Sequence, residues 1–175
     1  MMGSLVERAI GYLMMSQVRA HTAILSLFMR IGPRTEIFFP MFFAAHRQIR
    51  IGSGCRIHHN CFLNGRMGGI TIGNGVIIQN GVTIIAGQHD YSNPGVPIEK
   101  GGPLKEYGPV VIEDDVWISP HVVILPNCRI RKGALIGAGA VVTPSLKTTE
   151  YGIYVGNPAR FLKSRFGKSQ KKPEG

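Results

Sequence analysis

From Ile51 onward, aliphatic residues return every six positions. Ile51, Ile57 and Leu63 open the series. Ile72, Ile78 and Ile84 continue it, and Ile112, Ile118, Ile124, Ile130, Ile136 and Val142 complete it. The phase breaks after Leu63 and again after Ile84. Four positions beyond each of these residues the chain is usually small or apolar, as at Cys55, Cys61, Val76, Val82, Val116, Val122, Cys128, Ala134 and Ala140. A β-sandwich would need alternation with period two. A period of six predicts instead a coil of three short strands joined by tight corners, so that aliphatic side chains point inward and stack coil upon coil at about 4.8 Å. The corners are marked by residues that accept unusual dihedrals: Gly73-Asn74-Gly75, Asn80-Gly81, Asp114-Asp115 and Gly137-Ala138-Gly139. The fold class is all-β, a parallel β-helix of hexapeptide repeats.

The pattern also sets the organisation. Residues 1–31 read as helical and end at Gly32-Pro33. Residues 34–48 read as a basic, aromatic connector with Phe38, Phe39, Phe42 and Phe43. The segments expected are thus 1–48, a helix and connector; 49–162, the β-helix domain, with about four coils from Ile49 to Val142; and 163–175, a basic, disordered tail. A short insertion surrounds Gly65-Arg66-Met67-Gly68-Gly69. A long one, rich in Gly and Pro, forms a loop over residues 90–111 that projects from a corner. Long loops on rigid scaffolds commonly carry function.

Charge adds a ligand class. Twenty Lys and Arg against ten acids give a net charge of +10, which suits an anionic ligand or an anionic membrane surface. Aromatic residues are not interleaved with the basic ones as stacking platforms, so nucleic acid is not expected. The three cysteines all occupy the inward position and read as core residues without a disulfide. No secretory leader is visible, which points to the cytoplasm. The N-terminal apolar stretch is broken by Arg8, Arg19 and Arg30 into runs too short to cross a bilayer. On one continuous helix these arginines share a face, opposite Val6, Ile10, Leu13, Ile24, Leu25 and Phe28. That helix either packs on its own assembly or lies on the inner surface of the cytoplasmic membrane.

Four further stretches carry a resemblance. They are Gln88-His89-Asp90-Tyr91, the run from Val110 to Ile118, the run from Gly137 to Thr143, and the run from Val155 to Arg160. In that order and spacing the chain resembles the hexapeptide-repeat acyltransferases, which are left-handed β-helices. It looks nearest to the maltose and galactoside acetyltransferases and to the sugar O-acetyltransferases of bacterial surface polysaccharides. The resemblance spans residues 49–165, while the first 48 residues do not match the short helical domain of the maltose and galactoside enzymes.

The resemblance implies acetyl transfer from acetyl-CoA to a hydroxyl or amine, in clefts between the subunits of a homotrimer. By position His89 is the catalytic base. Trp117 matches a tryptophan of the cleft, in contact with cofactor and substrate. Pro120, Ala138 and Thr143 match positions along the pantetheine arm, and Arg160 and Lys163 match residues that meet the nucleotide phosphates. Asn60 or Asn64, with Tyr91 on the loop, is expected at the acceptor, together with loop residues Lys105 and Tyr107. O-acetylation of a glycan or its precursor is the first expectation, and N-acetylation of an amino-sugar nucleotide the second. A remoter relative, the zinc carbonic anhydrases built on the same prism, would need two histidines five residues apart. His21, His46, His58, His59, His89 and His121 contain no such pair, so no metal is expected.

Overall fold

The structure is a computed structural model that describes residues 2–104 and 108–167, with side chains from Gly11 onward. A single helix, α1 (Met2–Ser26), is followed by short strands arranged in coils. The first coil holds β1 (Arg30–Ile31), β2 (Glu36–Ile37) and β3 (Phe42–Ala44), and the second β4 (Ile49–Ile51), β5 (Arg56–Ile57) and β6 (Phe62–Asn64). The third holds β7 (Ile70–Ile72), β8 (Ile77–Ile78) and β9 (Thr83–Ile85), and the fourth β10 (Val110–Ile112), β11 (Trp117–Ile118) and β12 (Val123–Ile124). The fifth holds β13 (Arg129–Ile130), β14 (Leu135–Ile136) and β15 (Val141–Val142). A last strand, β16 (Gly152–Val155), stacks on β14, and β17 (Arg160–Ser164) folds back antiparallel on it. Equivalent strands pair in parallel, giving three sheets ordered β1-β4-β7-β10-β13, β17-β16-β14-β11-β8-β5-β2 and β15-β12-β9-β6-β3.

The six-residue phase is the core. Each aliphatic residue of the series is at most 4% exposed, and Cys55, Cys61, Val76, Val82 and Ala140 fill the space between them. Ile118 stands in register between Ile78 and Ile136, so one stacked column runs through the prism. Burying a side chain of this size stabilises by about 1.5–3 kcal/mol. The corners follow from their residue types. Asn60, Asp115, His121 and Asn127 adopt left-handed dihedrals, with φ of 58, 57, 57 and 61°. Coils approach so closely at Gly52 and Gly73 that a Cβ there would collide with the Gly73 carbonyl oxygen and the Asp114 carboxylate, respectively. Side chains rail the same corner: Ser53 N–H donates to Asn74 Oδ1 at 2.9 Å, and Asn74 N–H donates to Asp114 Oδ1 at 2.6 Å.

The prism begins one coil earlier than the periodicity suggests. Residues 34–48, expected as a connector, complete the coil that starts at β1. Ile31, Ile37 and Phe43 pair with Ile51, Ile57 and Leu63. Thr35 and Met41 are buried at the inward position four residues beyond Ile31 and Ile37. The spacing of six was present there, but Phe43 replaces an aliphatic residue and the surrounding phenylalanines hide the alternation.

The helix also ends sooner, at Ser26. It lies against the open edge of β2, the last strand of its sheet. Ile37 N–H donates to Thr22 Oγ1 at 2.9 Å, and His21 Nδ1 lies 3.1 Å from Ile37 O as its donor. Exposed edges invite unwanted pairing, and solenoids need caps; α1 serves both needs. Arg30 has left the helix for β1, and Arg19 lines a groove of about 500 Å³ between α1 and the first coil. The arginine stripe is therefore not one helical face. The side chains of Val6, Arg8 and Ile10 lie outside the described residues. Leu13, Ile24 and Phe28 remain on an exposed surface, with Leu25 partly buried against the core. Among the described residues no helix is long and apolar enough to cross a membrane. At the other end the expected disorder does not begin at Lys163: β17 continues to Ser164, and Arg165 packs onto the prism. Residues 168–175 lie outside the described part.

Candidate active site

The long loop leaves β9 and returns into β10, and the short insertion is its seat. Gly68 N–H donates to Ala86 O at 2.8 Å. A Cβ on Gly68 would come within 2.5 Å of Gly108 O, and one on Gly87 within 2.6 Å of Arg66 O. Both arms of the loop thus rest on Arg66–Gly68. Beyond this base the arms clip together antiparallel. Leu104 N–H donates to Gln88 O at 3.1 Å, Asp90 N–H donates to Gly102 O at 2.9 Å, and His89 bridges to Pro103. Past the clip, Asp90 Oδ1 accepts from Ser92 N–H and Oγ–H at 2.8 and 2.6 Å, and Asn93 Oδ1 accepts from Gly95 N–H at 3.0 Å. The backbone of His89 is held on both sides while its imidazole stays exposed. Tyr91 is 63% exposed on the same loop. Lys105 and Tyr107 lie outside the described residues.

The remaining expected residues fall on different edges of the prism. Asn64 and Thr143 stand at the corner between the third and first sheets, the same corner that throws out the His89 loop. Asn64 Oδ1 accepts from Arg66 N–H at 3.0 Å, and the Thr143 and Ser145 hydroxyls lie 2.9 Å apart. Asn60, Pro120 and Ala138 stand at the corner between the second and third sheets, where Gly139 N–H donates to Pro120 O at 2.9 Å. Trp117 stands on the outer face of the second sheet, between Ile77 and Leu135. Arg160 and Lys163 lie exposed on β17 at the end of that sheet, and the Arg160 guanidinium donates to Ala159 O at 2.9 Å. A single chain does not bring this set together.

Sequence reasoning missed Arg165, because it lay in a stretch read as disordered. It donates to Gly133 O at 2.7 Å and to Asp115 Oδ2 at 3.3 Å. With Ile77, Trp117 and Leu135 it lines a groove of about 230 Å³. The groove is largely apolar, and Asp115, which also lines it, offsets the charge of Arg165, so it suits a flat or extended apolar ligand.

The cysteines are core residues, at most 3% exposed, and none of them lines the groove at the foot of the His89 loop. Burial pushes the Cys128 thiol up to about 11, and burial likewise raises those of Cys55 and Cys61. The thiolate is the reactive form. Among the described residues no three His, Cys, Asp or Glu side chains converge on a metal site.

Residues 109–144 match the family model for the bacterial transferase hexapeptide (six repeats). That segment is β10 to β15, two consecutive coils. Those two coils carry the repeat of that family, and the repeat continues on both sides of them in the stacked coils of the structure. The fold is a left-handed parallel β-helix of hexapeptide repeats. No curated protein matches the chain by sequence. Among solved structures, it is similar to a hexapeptide-repeat acetyltransferase from Vibrio cholerae O1 biovar eltor complexed with acetyl-coenzyme A, at 25% identity over 83% of this chain and 76% of that one, with a TM-score of 0.72. A maltose O-acetyltransferase from Clostridium difficile 630 is 26% identical over 82% and 73%, with a TM-score of 0.70. An N-acyltransferase from Bacillus cereus, in complex with dTDP and 3-hydroxybutyryl-CoA, is 26% identical over 77% and 71%, with a TM-score of 0.62.

Proposed function

We propose that this acyltransferase moves the acetyl group of acetyl-CoA onto a sugar hydroxyl of a bacterial surface polysaccharide or its precursor, with His89 as general base. The observation that carries this reading is the exposed imidazole of His89, clipped at the mouth of a loop on a prism of the acyltransferase type. A sugar hydroxyl is a weak nucleophile, and an imidazole accepts a proton near neutral pH. His89 takes the hydroxyl proton as the oxygen attacks the thioester carbonyl. The tetrahedral intermediate collapses, the carbon–sulfur bond breaks, and the imidazolium returns its proton to the CoA thiolate. The thioester is already activated, so no acyl-enzyme is needed. The buried, protonated cysteines agree with direct transfer. Pro120, Ala138 and Thr143 would border the pantetheine arm and Arg160 and Lys163 the nucleotide phosphates, while Trp117, Asn60 or Asn64, and Tyr91 would face the acceptor. Because these groups stand on separate edges, the cleft is built between neighbouring copies in a homotrimer.

The similarity to the Bacillus cereus N-acyltransferase favours a second reading, N-acetylation of an amino-sugar nucleotide. Both use the same base. His89→Asn should lower transfer from acetyl-CoA to a panel of sugars by about a hundredfold or more. The variant should still fold and still gain thermal stability from acetyl-CoA, since a native-state ligand stabilises in proportion to its occupancy. Undiminished turnover in the variant would reject His89. Absence of any stabilisation by millimolar acetyl-CoA would reject the donor. The product separates the two acceptors, because mild base cleaves an acetyl ester and leaves an acetamide intact.

A further inference from the structure

The outer face of the first sheet carries an arginine cluster that transfer chemistry at His89 does not use. Arg50 on β4 lies directly beside Arg30 on β1, and Thr71 on β7 is its other neighbour. Like charges opposite one another across a strand pair are destabilising. Arg47, in the single helical turn His46–Gln48, joins them: it lines one cleft with Arg30 and a second groove with Arg50. That second groove holds about 420 Å³ between Arg47, Gln48, Arg50, Met67, Thr71 and Pro109, over the backbone of Gly68 and Gly69. Every charged group in its lining is cationic. Glu113, on the same side of the prism, is taken up by Arg129 and Arg131 at 2.8 and 3.1 Å. Arg56 and Arg165 have Glu36 and Asp115. Among the described residues no carboxylate pairs with Arg30, Arg47 or Arg50.

We propose that this groove holds a phosphate or diphosphate carried by the acceptor, a deepening that rests on the transferase reading above. Guanidinium groups stay charged and bind phosphate oxygens in pairs. The Thr71 hydroxyl and the Gln48 amide supply neutral donors beside them. Position links the groove to the chemistry. Met67 and Gly68 are the seat under Gly87, and Pro109 is on the returning arm of the loop, so the groove opens at the foot of the His89 stem. His89 is two residues beyond Gly87, about 7 Å along an extended chain, a span that one sugar ring and its phosphate cover. Within one chain the site lies on a different sheet from the expected CoA phosphate contacts, Arg160 and Lys163, which are on the second sheet. Two sources share this chemistry: a soluble sugar nucleotide, or a lipid-borne phosphate reached past exposed Leu27 and Phe28, which border the cleft of Arg30 and Arg47.

The test is titration calorimetry on the full chain with inorganic pyrophosphate, with and without saturating acetyl-CoA, in wild type and in R47Q/R50Q. The native protein should bind pyrophosphate, less tightly as salt rises, and the double variant should lose about tenfold or more in affinity. Its affinity for acetyl-CoA should be unchanged, and the two ligands should bind together. Equal pyrophosphate affinity in both proteins overturns the proposal, as does competition between pyrophosphate and acetyl-CoA. Absence of acetyl-CoA binding in the native protein, with its pyrophosphate binding intact, would instead reject the transferase reading alone. Vesicles of phosphatidylcholine with phosphatidylglycerol identify the source. Flotation that R47Q/R50Q abolishes assigns a lipid-borne phosphate, and pyrophosphate binding without flotation assigns a soluble one.

Discussion

Environment divides the reactive residues of this chain into two groups. Cys55, Cys61 and Cys128 occupy inward positions, and burial holds their thiols protonated. His89 is exposed on a backbone clip. The cysteine half of this contrast was legible in the sequence, because the six-residue phase says which positions point inward. The histidine half came from a resemblance, since an isolated loop histidine has no periodic signal. Arg165 was illegible, because its partners, Gly133 O and Asp115, are far away in sequence and it sat among polar residues. Cys128→Ala separates core from chemistry. It should lower stability by about 1–2 kcal/mol, since a packed group is lost in the prism. Turnover per folded molecule should stay at the wild-type value. Urea melts and assays on the same samples measure both, and a folded Cys128→Ala protein without turnover would overthrow direct transfer.

Among elements, α1 shows how a pattern of apolar and basic positions can leave the contacts of a helix unread. Its apolar residues and arginines read as one amphipathic surface, yet Val18 and Thr22 turn towards the first coil, and Arg30 belongs to a strand. The contact that fixes the helix is a side chain satisfying an edge-strand amide, which hydropathy cannot register. The first coil was missed for a related reason: Thr35, Met41 and Phe43 fill its inward positions in place of Val, Ile and Leu. From β4 to β15 local preference and stacking agree, and there the sequence reads cleanly. Thr22→Val tests the capping role. Volume is kept, but the buried Ile37 N–H loses its acceptor, and an unsatisfied buried donor costs about 1–3 kcal/mol. The variant should melt earlier by that amount, and exchange of the Ile37 amide should accelerate far more than exchange of the Ile118 amide in the middle of the prism. Unchanged exchange at Ile37 would remove α1 from the role of edge cap.

For the whole molecule, the expected catalytic and cofactor residues are split between prism edges. His89, Asn64 and Thr143 stand at one corner, Pro120 and Ala138 at another, and Trp117 on the sheet that ends at the latter. A rigid prism cannot fold one edge onto the other, so a site that uses both must take them from two copies. The outer face of the second sheet is suited to lie in such a contact, with Trp117 44% and Ile77 37% exposed. A closed ring of three head-to-tail contacts would complete every site identically. Sedimentation should therefore give a trimer at micromolar concentration, and complementation tests the composite site directly. His89→Ala removes the base at one edge, and Ala138→Trp fills the channel at the other. Each variant alone should be inactive. Unfolding and refolding an equal mixture should restore on the order of a quarter of wild-type activity, since a cleft that draws an intact His89 from one chain and an intact Ala138 from its neighbour forms in about that fraction of random contacts. A mixture as inactive as its components, in protein shown to have exchanged subunits, would mean that each site is built within one chain and that the trimer is not required for transfer.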